Sequence, residues 1–344
     1  MNPLTHGEAK RLVIHAPGVH TGGGQVLLSA LLRATHFAPS LGTFDSRANV
    51  SPPTAIHFRK VFPSLASRFA TEVWLYRNVR AGDVVLCLHG LPPLFRLPAH
   101  VCAFVQNRHQ LDQRHLASFS FRTRFRLTIE RVIGLLCRAN VDDYIVQTPS
   151  MARALAAWHG ANPPVRVMPF WEQPPAMRDT ADQPPIDFVY VADGEAHKNH
   201  INLIAAWGLL AESGLRPSLA LTLGSRDAAL WQQLQPAVAA KQLRVENLGH
   251  LPHAAALDLY GRSRALIFPS TSESFGLPLL EAAAAGLPIL AAERDFVRDA
   301  CTPVQTFDPE SPTSIARAVR RFLAAPEPGL QLRTPEQFVR ELLA

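Results

Sequence analysis

The stretch Glu273-Ser-Phe-Gly-Leu-Pro-Leu-Leu-Glu281 lies between an apolar run, Ala265 to Phe268, and an alanine-rich run ending at Gly286, and it constrains the chain more than any other segment. Ala265 to Phe268, followed by Pro269, reads as a short buried strand. Thr271 to Gly276 reads as a turn, and Leu277 to Ala285 as a helix with Pro278 near its first position and Gly286 as its stop. Glu273 then sits in the turn and Glu281 inside the helix, so two carboxylates share one strand-to-helix edge. The unpaired N–H groups around Phe275 to Leu277 point out of the helix terminus, where an anion is stabilised. Open α/β sheets bind ligands at such edges. From these residues alone, Glu273 also reads as a capping residue and Glu281 as a solvated helix glutamate.

A chain of 344 residues, 47% hydrophobic, is too long for one ordinary domain and suits two α/β domains of similar size. Its formal charge of +6 suits nucleic acid, anionic lipid or phosphate-bearing substrates. The basic residues are scattered, and neither zinc-finger spacing nor an RNA-recognition signature occurs, so no nucleic-acid partner is expected. Cys87, Cys102, Cys137 and Cys301 form no C-x-x-C pair, which argues for reduced thiols and against a zinc site. Met1 to Lys10 is polar, with no signal-peptide core, and no uncharged apolar run is long enough to span a bilayer. The expected location is cytoplasmic.

Apolar runs at Leu12 to His15, Val84 to Leu88, Val101 to Val105 and Tyr144 to Val146 alternate with helical patterns, as in a parallel sheet with crossover helices. This is the first domain, 1–170. The proline-rich stretch 171–185 reads as a linker. A second domain, 186–330, restarts the alternation, with strands at Ile186 to Val191, Leu219 to Leu223, Arg244 to Asn247, Ala265 to Phe268 and Pro288 to Ala291. Its helices are expected near Asn202 to Ala211, Ala228 to Ala239 and Ser314 to Ala324, and 331–344 reads as a terminal helix.

Other residues join the two glutamates at strand ends. Lys198, in Asp193-Gly-Glu-Ala-His-Lys-Asn-His200, follows the strand at Ile186 and is presented to the cleft, unless it is an exposed lysine beside a cap at Asn199 or Asn202. Gly22, Gly23 and Gly24 follow the first strand as a loop that lets backbone approach a ligand before a helix near Gln25. They complete neither a P-loop nor a dinucleotide fingerprint. His89, then Gln106, Asn107 and His109, follow successive strands and line the first domain's carboxyl edge, the acceptor side. Segment 119–138 mixes Phe119, Phe121, Phe125, Leu127, Ile129, Val132, Ile133 and Leu136 with Arg122, Arg124, Arg126 and Arg131. It reads either as a basic membrane-surface helix or as a crossover helix with its apolar side on the sheet, the latter favoured.

The E-x7-E pattern with Ser274-Phe-Gly-Leu-Pro and Gly286-x-Pro288, preceded by Val245-Glu-Asn-Leu-Gly-His-Leu251, resembles the retaining glycosyltransferases of family 4. The resemblance is strongest over Ile186 to Ala292. It implies an α/β chain of GT-B architecture, two Rossmann-like domains facing across an interdomain cleft, in which the terminal helix packs back on the first domain. It further implies transfer of a hexosyl group, with retention, from a nucleotide-sugar donor to a hydroxyl of a sugar or lipid-linked acceptor. No cofactor and no metal are expected. Such enzymes often serve polysaccharide or lipopolysaccharide assembly, here with peripheral attachment at the inner face of the membrane through 119–138.

By the same resemblance Lys198 contacts phosphate, Glu273 the donor sugar and Glu281 the ribose hydroxyls, with amides from Ser274 through Phe275 and Gly276 to Leu277 as further donors. Gly23 and Gly24 face donor phosphate or acceptor, Gly224 lies on the nucleotide wall, and His250 and Leu251 meet the nucleobase. Catalytic parts fall to Glu273, Lys198 and His109. Two departures stand out. Asp193 occupies the place of an arginine that usually completes a two-cation clamp, and Gln106 and Asn107 stand where a histidine usually follows the strand. A sugar-nucleotide epimerase on the same fold and a noncatalytic nucleotide-sugar-binding subunit are the competing readings.

Overall fold

The computed structural model describes residues 11–34, 41–51, 56–88, 90–111, 121–171 and 186–324. The amino-terminal part runs β1 (Leu12–Ala16), α1 (Gly22–Arg33), β2 (Leu41–Asp45), β3 (His57–Val61), α2 (Leu65–Asn78), β4 (Val84–Cys87), β5 (His100–Phe104), α3 (Phe121–Leu136), β6 (Asp143–Val146), α4 (Pro149–His159) and β7 (Val165–Val167). These strands form one sheet in the order β3-β2-β1-β4-β5-β6-β7, every pair parallel. The carboxy-terminal part runs β8 (Ile186–Tyr190), α5 (His200–Glu212), β9 (Leu219–Leu221), α6 (Ala228–Ala240), β10 (Val245–Asn247), α7 (His253–Gly261), β11 (Ser263–Phe268), α8 (Leu277–Ala284), β12 (Ile289–Ala292), α9 (Asp295–Ala300), β13 (Gln305–Phe307) and α10 (Pro312–Phe322). Its sheet is also all parallel, in the order β10-β9-β8-β11-β12-β13.

Two parallel-sheet α/β domains of GT-B type are therefore present. In each sheet the strand order reverses once, between β1 and β4 and between β8 and β11. A crevice opens at such a reversal because the crossovers on either side of it leave in opposite directions. The loops after β1, β8 and β11 carry three of the motifs singled out in the sequence.

The second domain is built on strands that read as continuous apolar runs because helices cover both faces of the sheet. Ala265, Leu266, Ile267 and Phe268 of β11 are fully buried, packed with Phe188, Tyr190, Trp207 and Phe296. Trp207 donates from Nε1 to the Pro217 carbonyl at 2.9 Å, which satisfies its one polar group. Helix ends follow local chemistry: Thr148 and Ser311 cap α4 and α10, Pro149 and Pro312 open them, and Gly160 closes α4 at φ 69°.

Four strands lie outside the sequence expectation. β3, β7 and β13 are sheet edges, and edge strands carry polar residues such as His57, Arg59, Lys60, Arg166 and Gln305 that break an apolar run. β2 is buried throughout, but Gly42 interrupts its pattern; a Cβ there would meet the Phe44 ring at 2.5 Å.

Helix α3 is a crossover between the parallel strands β5 and β6, as favoured for segment 119–138, but most of its apolar side chains do not turn inward. Phe121, Phe125, Ile129, Val132 and Leu136, spaced i, i+4, i+8, i+11 and i+15 and hence on one face, are exposed, Phe121 at 80% and Leu136 at 77%. The inward contacts come from Leu127 and from Gly134, where an added Cβ would touch the Trp158 ring at 3.1 Å. No described helix is long and apolar enough to cross a membrane. Residues 1–10, the linker 172–185, residues 119 and 120, and the expected terminal helix 331–344 lie outside the described residues.

Candidate active site

Lys198 is delivered by a short 3-10 turn, Ala196–Lys198, on the loop that follows β8. That loop is sewn to the neighbouring loop after β11. Thr271 N–H donates to the His197 carbonyl at 2.8 Å, Asn199 Nδ2 donates to the Pro269 and Pro309 carbonyls at 3.1 and 2.6 Å, and the Tyr190 hydroxyl donates to the Lys198 carbonyl at 2.8 Å. Asn199 adopts the left-handed conformation (φ 63°) and caps α5 without a side-chain bond; its amide is spent on this stitching instead. Of the two cap positions the sequence offered, Asn199 is the N-cap of α5.

The result is an ion pair at the crevice: Lys198 Nζ lies 2.7 Å from Glu273 Oε1, with the side chains 15% and 10% exposed. Burial alone would lower the Lys198 ammonium. Glu273, Asp193 and Glu195 outweigh it and hold the group above its ordinary value, so it is charged at neutral pH. Glu273 does not cap α8, whose N-cap is Gly276 in the left-handed region (φ 74°) with no side-chain bond. Pro278 has no N–H and the Leu279 N–H donates to the Gly276 carbonyl at 2.9 Å, so the amides left to the cleft are those leading into the helix at Gly276 and Leu277.

Glu281 is not a solvated helix glutamate. It is 4% exposed, with Oε1 2.8 Å from His253 Nε2 and Oε2 accepting from the Tyr260 hydroxyl at 3.1 Å. Burial, reinforced by Glu281, pushes the Tyr260 phenol well above its ordinary range and so keeps it a donor. His253 and Tyr260, seven residues apart on α7 and thus on one face, were missed in the sequence, although their helical spacing was a usable signal.

Across the cleft, Gly22 to Gly24 form the first turn of α1, not a loop preceding a helix at Gln25, because α1 begins at Gly22. Their size matters here: a Cβ on Gly23 would come within 3.0 Å of Leu277 Cδ1, and one on Gly24 within 3.1 Å of Gln106 Oε1. The N-termini of α1 and α8 thus meet across the interface. Thr148 Oγ1 donates to the Ser274 carbonyl at 3.3 Å and Ser150 N–H to Asp299 at 2.9 Å, which joins the domains beside the crevice.

A cavity of about 200 Å³ lies between the domains, lined by Gln106, Asn107 and His109 on one side and by Lys198, Glu273 and Ser274 on the other. Its remaining walls include Arg108 and Arg126, cations the sequence reading did not assign, and Asp193, Glu195 and His197. Gln106 and Asn107 have structural work: Gln106 Nε2 donates to the Leu88 carbonyl at 2.8 Å, and Asn107 Oδ1 accepts from His109 N–H at 3.0 Å. The His109 ring meets His197 edge-on with centroids 4.6 Å apart. Glu281, Phe275, Gly276, Leu277, Gly23, Gly24 and the set Gly224, His250 and Leu251 lie outside this cavity's lining. Gly224 and His250 abut, since a Cβ on Gly224 would lie 3.1 Å from His250 Cβ, and the Leu251 side chain packs on the second domain's core. His89 lies outside the described residues.

Immediately behind Lys198, His200 is buried against Tyr190, ring centroids 4.9 Å apart. Burial lowers its imidazole to about 4, with Asp193 opposing and the Lys198 charge adding to the shift. The folded protein thus holds a neutral ring, whereas the unfolded chain takes a proton near pH 6.5. Stability is complete above that pH and is lost as pH falls towards 4. Between pH 7 and 4.5 this one group is expected to withdraw roughly 2 kcal/mol, and His200→Phe to flatten the dependence by that amount. Urea titrations of both proteins at the two pH values measure it; equal pH slopes would refute the assignment.

Residues 177–337 match the family described as Glycosyl transferases group 1. The serotype-specific mannosyltransferase WbdA of Escherichia coli is 32% identical over 152 residues, 43% of this chain. The chain covers only 18% of that protein's length. Among solved structures, sucrose-phosphate synthase from Thermosynechococcus elongatus superposes with a TM-score of 0.71 at 17% identity, over 92% of this chain and 90% of that one. Anabaena Alr3699/HepE in complex with UDP and glucose superposes with a TM-score of 0.69 at 13% identity, with the same coverages.

Proposed function

We propose that the chain is a retaining glycosyltransferase of family 4 type that moves a hexosyl group from a nucleotide-sugar donor to a hydroxyl acceptor. The observation that carries this reading is the Lys198–Glu273 pair at the reversal point between β8 and β11, beside the amides that lead into α8 at Gly276 and Leu277. A departing diphosphate needs converging positive charge, and Lys198 with those amides supplies it. Glu273 holds the ammonium in place and offers Oε2 to hydroxyls of the donor sugar. Glu281 retains lone pairs beyond those used by His253 and Tyr260 and accepts from the ribose hydroxyls.

The anomeric carbon–phosphate oxygen bond breaks while the acceptor oxygen bonds the same face of the sugar. The acceptor proton passes to the leaving phosphate oxygen, and no enzyme nucleophile or metal is required. The likeness to a mannosyltransferase supports a hexosyl donor, and the nearby UDP complex supports a nucleotide diphosphate carrier. Titrating the purified chain with UDP-, GDP-, ADP- and TDP-sugars by saturation-transfer NMR, then analysing the anomeric configuration of products from an acceptor panel, tests the reading. Binding of one donor with an axial-to-axial or equatorial-to-equatorial product supports it. An inverted product sinks the retaining mechanism, donor interconversion without transfer selects the epimerase, and binding without any turnover selects the noncatalytic subunit.

A lipid-linked acceptor at the inner face of a membrane, in polysaccharide assembly, is the acceptor we favour. Helix α3 supports it. Arg124 and Arg126 are exposed on the helix that carries the apolar stripe, and its one carboxylate, Glu130, is engaged by Gln110 Nε2 at 3.0 Å. Thr123, Arg126 and Leu127 of the same helix line the cavity, so a membrane bound here lies beside the cleft. Cosedimentation with phosphatidylglycerol vesicles is expected to exceed that with phosphatidylcholine, and Phe121→Glu with Phe125→Glu to weaken it at least about tenfold. Equal sedimentation of the variant would remove α3 from this role.

A further inference from the structure

We propose that His109, Glu195 and His197 form a divalent transition-metal site that bridges the two domains. One donor comes from the 3-10 turn after β5 (Arg108–Gln110), the other two from the loop after β8. Their ligand atoms all lie within 4.8 Å of one another. Glu195 Oε2 is 3.5 Å from His197 Nδ1, and the two imidazole rings are inclined at 63° with centroids 4.6 Å apart. Donors around a tetrahedral zinc ion, at bonds of about 2.0–2.1 Å, stand roughly 3.4 Å apart, so one edge of the set is already at that spacing. Two imidazoles and a carboxylate suit zinc, cobalt or nickel and are poor for magnesium or calcium, which require oxygen ligands.

Charges of both signs surround the three donors. Asp193 and Glu273 stand in the same cavity wall, and the ammonium of Lys198 is already matched by Glu273. The wall also carries Arg108 and Arg126, the latter close enough to act on the Glu195 carboxylate. Histidine and glutamate so far apart in sequence escape any spacing rule for metal ligands; only docking of the domains brings them together. Because the donors belong to both domains, a bound ion latches them in this arrangement and opposes opening of the cleft.

A second cluster provides an internal contrast. His100, Cys102 and Asp143 also lie close together. There the Arg166 guanidinium donates to Cys102 Sγ at 3.4 Å and to Asp143 at 2.9 Å, so a side-chain cation already fills the place of an ion. Burial pushes the Cys102 thiol up to about 12, which disfavours the thiolate a metal needs.

The site rests on the geometry of the cleft and not on the proposed transfer reaction, and its test requires no donor. The full chain, untagged, is titrated with Co²⁺ and read by visible d–d absorption, with Zn²⁺ as competitor. One equivalent of Co²⁺ giving a low-coordinate spectrum, displaced by Zn²⁺ and accompanied by a raised Tm, is the expected result. Glu195→Gln, an exposed substitution that leaves the core intact, and His197→Ala should each weaken the cobalt affinity at least about tenfold, whereas His100→Ala should not. A spectrum that stays that of the hexaaqua ion overturns the proposal, as does binding that survives His197→Ala and Glu195→Gln but is lost in His100→Ala.

Discussion

Lys198→Met is expected to lower kcat by about 10²–10³ while leaving donor Kd within a few-fold, since a charge aimed at a leaving group acts mainly in the transition state. Methionine keeps the length of the stem and removes only the ammonium. The substitution also strands Glu273, whose side chain is 10% exposed, and breaking such a buried pair costs about 3 kcal/mol. The two effects separate in the double variant. Lys198→Met with Glu273→Gln should regain most of the lost stability, because no unpaired charge is left, yet recover no turnover. Because Glu273, Asp193 and Glu195 hold the Lys198 ammonium above its ordinary value, its contribution to stability is complete at neutral pH. It disappears only as alkaline pH rises through the elevated pKa. Thermal melts and steady-state rates on the wild type and these two variants measure all of this. A kcat for Lys198→Met within threefold of wild type would discard the phosphate role.

Glu281→Ala should weaken donor binding by about a hundredfold, the effect of losing two hydrogen bonds to a buried carboxylate. The Tyr260 hydroxyl, fully buried, is then orphaned, at a cost of about 1–3 kcal/mol in stability. Tyr260→Phe distinguishes holding from binding. It removes the group that orients Glu281 without touching the carboxylate, so donor Kd should rise by less than in Glu281→Ala, and the paired variant Glu281→Ala with Tyr260→Phe should be more stable than Glu281→Ala alone. Isothermal titration with the donor selected by NMR decides it. Unchanged affinity in Glu281→Ala, in a protein that melts cooperatively, would move the ribose contact elsewhere.

Much of this site was legible before any coordinates. The strand, turn and helix around Glu273 and Glu281 have strong local signals: an apolar run, a proline near N1 and glycines in left-handed positions at 276 and 286. What local signals could not decide was the partner of each charge. Glu273 meets Lys198, 75 residues away, and Glu281 meets His253 and Tyr260 on a different helix. A glycine loop before Gln25 and an inward apolar face on α3 were both reasonable local readings. In the fold the glycines open α1 itself, close to Leu277 and Gln106, and α3 turns Leu127 and Gly134 inward, while the Asn199 amide is claimed by the Pro269 and Pro309 carbonyls.

The alternation of strands and helices, the parallel class of both sheets and the position of the candidate site residues at strand ends are local properties, because hydrophobic period, caps and turn residues act within a few residues of one another. That β8 lies beside β11, that Lys198 pairs with Glu273 and that His109 comes against His197 across the cleft are properties of the folded chain alone. Those contacts depend on the order of strands in the sheet and on how two domains dock, quantities summed over many weak long-range contacts that no single segment encodes.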